Sequence, residues 1–101
     1  MKLAIFAAAI AITIGAPALA SPHYVGHELA SKANISIVKA RAIALHARAG
    51  AITDQELEKE AGGSGLRYSF DIKSKGKVFE VGVDARTGRV LENQAEGKNP
   101  D

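Results

Sequence analysis

Between Tyr68 and Val83 the apolar residues fall on every second position on both sides of a Lys75-Gly76 pair: Tyr68, Phe70 and Ile72 before it, Phe79, Val81 and Val83 after it. A period of two marks half-buried strands. The spacing also sets a register. A two-residue hairpin at Lys75-Gly76 places Ile72 opposite Phe79, Phe70 opposite Val81 and Tyr68 opposite Val83, so one face is continuously apolar, and it leaves Arg67 opposite Asp84 on the outer face. A three-residue loop would set Phe70 against Glu80 and mix the faces, so the pattern selects a loop of two or four residues.

A helical pattern precedes the strands. Ser36 is a good N-cap, the Ala, Leu, Arg and Lys content that follows favours helix, and Gly50 stands where a glycine after a helix is expected. Arg48 near the end suits the helix dipole. At 100° per residue, Ala40, Ile43, Ala44 and Ala47 form one stripe, and Val38, Ala42, Leu45 and Ala49 form another. The Ala-rich stripe with Ile37 is expected on the sheet, because small side chains let a helix lie close to Tyr68, Phe70 and Phe79. The second stripe is expected to be covered by Tyr24, Val25 or Leu29, or else to meet a partner, which makes Val38 and Leu45 candidate protein contacts.

After the hairpin the chain reads Asp84-Ala85-Arg86-Thr87-Gly88. Asp84 can accept backbone N–H groups across a turn and Gly88 can take a positive φ, so both are expected as structural turn residues that reverse the chain into a last short strand at Arg89 to Glu92. Tyr-x-Phe-x-Ile, a Gly turn, Phe79-Glu80-Val81-x-Val83-Asp84-Ala85-x-Thr87-Gly88-x-Val90-Leu91 and the preceding Ala-rich segment together resemble the PepSY domain. That small module occurs in propeptides of thermolysin-like metallopeptidases and in stand-alone bacterial exported proteins. The resemblance spans roughly Ile35 to Glu92. It implies an α+β fold in which one N-terminal α-helix packs on a small antiparallel β-sheet of about three strands plus a short last strand.

Local rules and resemblance part company over Ala51 to Ala61. Thr53-Asp54-Gln55-Glu56 reads as a helix capping box, whereas PepSY-like sequences place an edge strand there. A lone hairpin is marginal and needs a third strand, so the strand is the expectation here. Its acidic residues would discourage unwanted pairing. Gly62-Gly63-Ser64-Gly65 is then a hairpin loop, and residues 94–101 are expected to be a disordered tail.

The first 20 residues look like a cleavable secretory signal: Lys2, a charge-free Ala/Ile-rich run, Pro17, and Ala18-Leu19-Ala20 before Ser21. Residues 21–34 are expected as a flexible lead-in, with His27 to Lys32 able to form a helical turn, and 35–93 as the domain. Cleavage would take one of the 13 basic residues, leaving 12 against 11 acidic ones. Near-neutrality of that kind argues against nucleic-acid binding, and no stable membrane insertion is expected once the signal is gone. With no Cys, disulfides, thiolate metal sites and Cys nucleophiles are excluded. A periplasmic or secreted address follows from the signal.

Chemistry is sparse. Asp54, Glu56, Glu58 and Glu60 read as a solvated edge, no Ser lies in a nucleophile context, and the Gly-rich loop lacks the Lys-Ser/Thr of a phosphate-binding loop. Lys73, Lys75 and Lys77 form a basic hairpin tip, either simply solvated or in contact with an acidic partner. His23 and His27 stand four apart. A new terminus at Ser21 would put His23 third, but the usual amino-terminal copper site needs the amide of residue two, which Pro22 lacks. His23, His27 and the terminal amine remain as the metal candidates.

These readings converge on a non-enzymatic exported protein-binding module without a cofactor. Its expected partner is another protein, a peptidase or an envelope protein, with inhibition or modulation of a secreted peptidase in trans as the role implied by the resemblance. The alternative is a periplasmic accessory protein that handles a metal or small ligand for a membrane partner, resting on His23, His27 and His46.

Overall fold

The structure, a computed structural model, describes residues 23–97. The signal-like segment 1–20 and the last residues of the tail lie outside the described residues. In chain order it contains a 3-10 turn (His27–Lys32), α1 (Ile37–Ala47), β1 (Ala51–Lys59), β2 (Leu66–Ser74), β3 (Lys77–Asp84) and β4 (Val90–Ala95). The strands form one antiparallel sheet in sequence order, β1-β2-β3-β4, with α1 on one face.

The hairpin register follows from the alternation. Ile72 pairs with Phe79, Phe70 with Val81, Tyr68 with Val83 and Arg67 with Asp84. The turn needs two residues at positive φ, and Lys75 (54°) and Gly76 (81°) supply them. The segment 51–59 is a strand, so pairing with β2 overrides the local helix signal. The would-be cap residue Thr53 is the unpaired residue of a bulge between Ile52 and Asp54, and Asp54 Oδ1 accepts from the Gln55 N–H at 3.0 Å.

Helix α1 starts as expected, with Ser36 Oγ accepting from the Lys39 N–H at 3.1 Å. It stops at Ala47 with Arg48 as cap, earlier than Gly50 implied. Gly50 is needed for another reason: a Cβ there would lie 2.4 Å from the Lys73 carbonyl oxygen, so only glycine lets the chain enter β1 this close to β2. Ala40 and Ala44 are fully buried against Leu57, Leu66, Tyr68, Phe70, Ile72, Val81, Val83 and Ala85, with Ile35, Ile37, Ile43 and Leu45 around them. Two small residues in the middle of the helix thus let its backbone approach the aromatic sheet face.

Two stretches differ from expectation. The lead-in is packed from Tyr24 onward: Val25 bridges to Glu56 in parallel, and Tyr24 and Leu29 lie on the core. The helical turn at His27–Lys32 does form. The last strand runs Val90–Ala95 rather than Arg89 to Glu92, pairing Gln94 with Glu80 and Ala95 with Phe79, so the tail expected to be disordered from Gln94 is in the sheet for its first residues. Continued pairing satisfies backbone groups of β3 that would otherwise face water, which local composition does not reveal.

Candidate functional site

Three parts of the surface carry polar chemistry: the turn after β3, the outer sheet face and the two sheet edges. At the turn, the buried Asp84 carboxylate accepts from Ser64 N–H and Ser64 Oγ, both at 2.7 Å, from Arg86 N–H at 2.8 Å and from Thr87 N–H at 3.2 Å. Burial alone would push this carboxyl up, and the hydrogen bonds from Arg86, Ser64 and Thr87 outweigh it, holding the group down at about 2. These four hydrogen bonds tie the carboxylate to the 62–65 loop and to its own turn. Gly88 takes φ 83° and closes the turn with its N–H on the Asp84 carbonyl at 2.9 Å. Gly63 must lack a side chain, since its Cβ would lie 2.3 Å from Asp84 Oδ2.

The face of the sheet away from α1 is acidic. Register places Asp54, Glu56 and Glu58 from β1, Asp71 from β2, Glu80 from β3 and Glu92 from β4 on this side, interrupted by Arg67 and Lys73. Arg67 is 7% exposed and lies flat over Gly82, where a Cβ would be 3.1 Å from its Cδ. From there it donates to Glu92 Oε1 at 3.3 Å and to the Ala61 carbonyl at 3.2 Å, with Glu60 at 3.7 Å. The carboxylates of Asp71, Glu80 and Glu96 come within 4.8 Å of one another. Partial burial first, then the neighbouring carboxylates, push Asp71 and Glu80 above the ordinary range, and partial burial does the same to Glu58. Glu58 also accepts from Ser69 Oγ at 2.8 Å.

The edges are unequal. On β1, Leu57 N–H is taken by the Val25 carbonyl at 2.9 Å and Gln55 N–H by Asp54. On β4 the described residues place no chain alongside the strand.

Comparison with known families then decides the class. Residues 34–93 match the family model for PepSY, the peptidase propeptide and YPEB domain. The chain belongs to the PepSY family. No curated protein and no solved structure matches it.

Within this PepSY domain the expected contact residues scatter. Lys73, Lys75 and Lys77 are exposed around the β2-β3 turn. Val38 is 62% exposed on the outer side of α1, whereas Leu45 is half-buried and packs on the core, so the second helix stripe is split instead of forming one apolar surface. His23 and His27 stack with centroids 5.6 Å apart and 29° between planes, Tyr24 meets His27 edge-on, and both imidazoles line an open groove with Asp54 and Gln55. His46 is exposed on α1, far along the chain from that groove.

Two features of the PepSY domain went unread in the sequence. Glu96 joins Asp71 and Glu80 only because β4 extends two turns of the pleat further than composition implied. Arg48 leaves the helix end to place its guanidinium 3.8 Å from the Phe79 ring centroid and to donate to Asn93 Oδ1 at 3.1 Å. The i,i+2 acidic alternation Asp54, Glu56, Glu58 was the available signal for the outer face.

Proposed function

We propose that this chain is a non-enzymatic, exported protein-binding module that acts in trans on a secreted peptidase, as an inhibitor or modulator, in the periplasm or outside the cell. The observation that carries this is the family match over residues 34–93, in a family whose description names peptidase propeptides. Two physical features support it. The most strongly perturbed carboxylate, Asp84, is held by structural hydrogen bonds, and the sheet presents a broad charged face and, among the described residues, an unpaired edge. Among the described residues no helix is long and apolar enough to cross a membrane. The test is to titrate purified protein into thermolysin-like metallopeptidases from its own host. Dose-dependent loss of peptidase activity is expected, and full activity throughout the titration overturns the inhibitory role.

A second reading, metal handling for an envelope partner, draws on the groove in which His23, His27 and Asp54 meet. Calorimetry with Cu(II) and Zn(II) on the protein and on a variant with His23, His27 and His46 replaced by Ala decides it. Equal heats for both proteins remove it.

A further inference from the structure

The backbone of β4 presents an ordered, unpaired edge. Glu96 N–H donates to the Val78 carbonyl at 2.9 Å, which makes that couple a hydrogen-bonded pair of the antiparallel ladder. Two residues along, Glu80 faces Gln94, and two further Gly82 faces Glu92. Asn93 and Ala95, opposite Val81 and Phe79, therefore turn their own N–H and C=O groups away from β3. The strand is held extended on the helix side, because Asn93 accepts from Arg48 Nε at 3.1 Å and donates to the Ala47 carbonyl at 3.3 Å. At the opposite edge the bulge at Ile52/Asp54, the Asp54 carboxylate on Gln55 N–H and the Val25 carbonyl on Leu57 N–H occupy the equivalent groups. One edge is closed and the other is a template for an incoming strand.

Charge selects the strand. A segment laid along β4 would alternate its side chains between the two faces. Those on the outer face would meet Glu92, Gln94 and Glu96, with Glu80 and Asp71 on the next strands inward. Those on the helix side would lie beside Ala95 and the Arg48–Asn93 pair, where Arg48 already supplies a cation. We infer that the free edge of β4 takes an extended segment of another polypeptide as a fifth strand, with basic residues at the alternate positions that face Glu92 and Glu96. This rests on the protein-binding reading above and specifies its site and its partner chemistry. A second copy of this chain is the wrong occupant, since two β4 strands joined edge to edge would merge two acidic faces.

The test is residue-resolved amide exchange on the purified protein, with a short, terminally blocked peptide alternating lysine and valine, and a control peptide alternating glutamate and valine. Exchange at Asn93 and Ala95 is expected to slow by about tenfold or more with the lysine peptide and to stay unchanged with the glutamate peptide. The protection is expected to shrink at about 1 M salt, where the Debye length falls to roughly 3 Å. Asn93→Pro, which removes an edge donor, and Glu96→Lys, which leaves the backbone intact, should each weaken it; should Asn93→Pro fail to fold, Glu96→Lys carries the test. Equal protection by both peptides, protection on β1 instead, or none at all overturns the proposal, as does protection that appears without peptide and grows with protein concentration. Peptidase inhibition assayed alongside separates the two readings. Inhibition by the protein with no peptide protection on β4 removes the edge and keeps the function, and β4 protection with no peptidase inhibited does the reverse.

Discussion

Ser64 gives the Asp84 carboxylate both its backbone N–H and its hydroxyl, each at 2.7 Å, and so ties the Gly-rich loop to the turn that follows β3. Ser64 lies in the loop that precedes the central hairpin and Asp84 is the last residue of its second strand. Replacing Asp84 by Asn keeps the shape but puts an NH₂ where donors already converge. Asp84→Asn is expected to cost about 2–4 kcal/mol and Ser64→Ala about 1 kcal/mol, by urea unfolding. If both variants unfold at the wild-type midpoint, the carboxylate is not what holds the loop.

The same carboxylate shapes the pH dependence. Its folded pKa of about 2 lies below the unfolded value near 3.9, so its contribution is complete above about pH 4 and is lost as pH falls through about 2, roughly 2–3 kcal/mol in all. Glu58, Asp71 and Glu80 have the opposite sign. Raised above their unfolded values, they bind protons more readily in the folded state, so acidifying from neutrality through their titration stabilises the fold. Stability is therefore expected to rise from pH 7 toward mildly acidic pH and to collapse only below about 4. Denaturation midpoints that fall steadily from pH 7 downward would contradict the strained acidic face.

Legibility followed the range of the interaction. The hairpin pairing of Phe70 with Val81 needed only sequence alternation, because a one-residue slip would turn every apolar side chain outward. The helix face was legible for the same reason, with Ala40 and Ala44 fully buried. The strand at 51–59 was decided by a tertiary requirement against a local capping signal. What could not be read were encounters set by chain direction after a turn: Arg48 on Phe79, Val25 on the β1 edge, and Glu96 beside Asp71 and Glu80. Each joins segments whose relative placement depends on a bulge or a loop, with no periodic signal to announce it.

Arg48 on Phe79 is worth testing because Phe79 sits only half-buried at the end of the aromatic row. The guanidinium covers the ring and its Nε donor also ties α1 to β4 through Asn93. Arg48→Ala is expected to lower stability by about 1–2 kcal/mol, and Arg48→Lys to recover only part, since an ammonium lacks the planar fork. Full recovery by Lys would reduce the contact to charge alone.

Lys75 pays a conformational cost that its neighbour avoids. It is the one non-glycine residue at positive φ among the described residues, at 54°. Asn favours that conformation, so Lys75→Asn is expected to raise stability by about 0.5–1 kcal/mol in thermal unfolding. Should the loss of this exposed cation also weaken peptidase inhibition, Lys75 is kept for contact at the expense of the turn.

Gly26 governs whether the lead-in stays on the sheet. Its φ is 88° and a Cβ would lie 1.7 Å from the Leu57 carbonyl oxygen, an overlap with backbone that no rotamer change relieves. Gly26→Ala must therefore lift Val25 and the start of the 3-10 turn away from β1. The fully buried core lies between α1 and the strands and Val25 is itself 70% exposed, so the apolar burial at risk is that of Tyr24 and Leu29, half-buried against that core. The expected outcome is a local one: Leu57 N–H loses the Val25 carbonyl and exchanges faster, while β2 and β3 amides keep their protection. In this variant the freed β1 edge then competes with β4 for the lysine-valine peptide, and peptide-dependent protection is expected to appear at Leu57 as well. If Leu57 exchange is unchanged, or if the whole sheet loses protection together, the lead-in is not the separable edge cover that its single bridge to Glu56 implies.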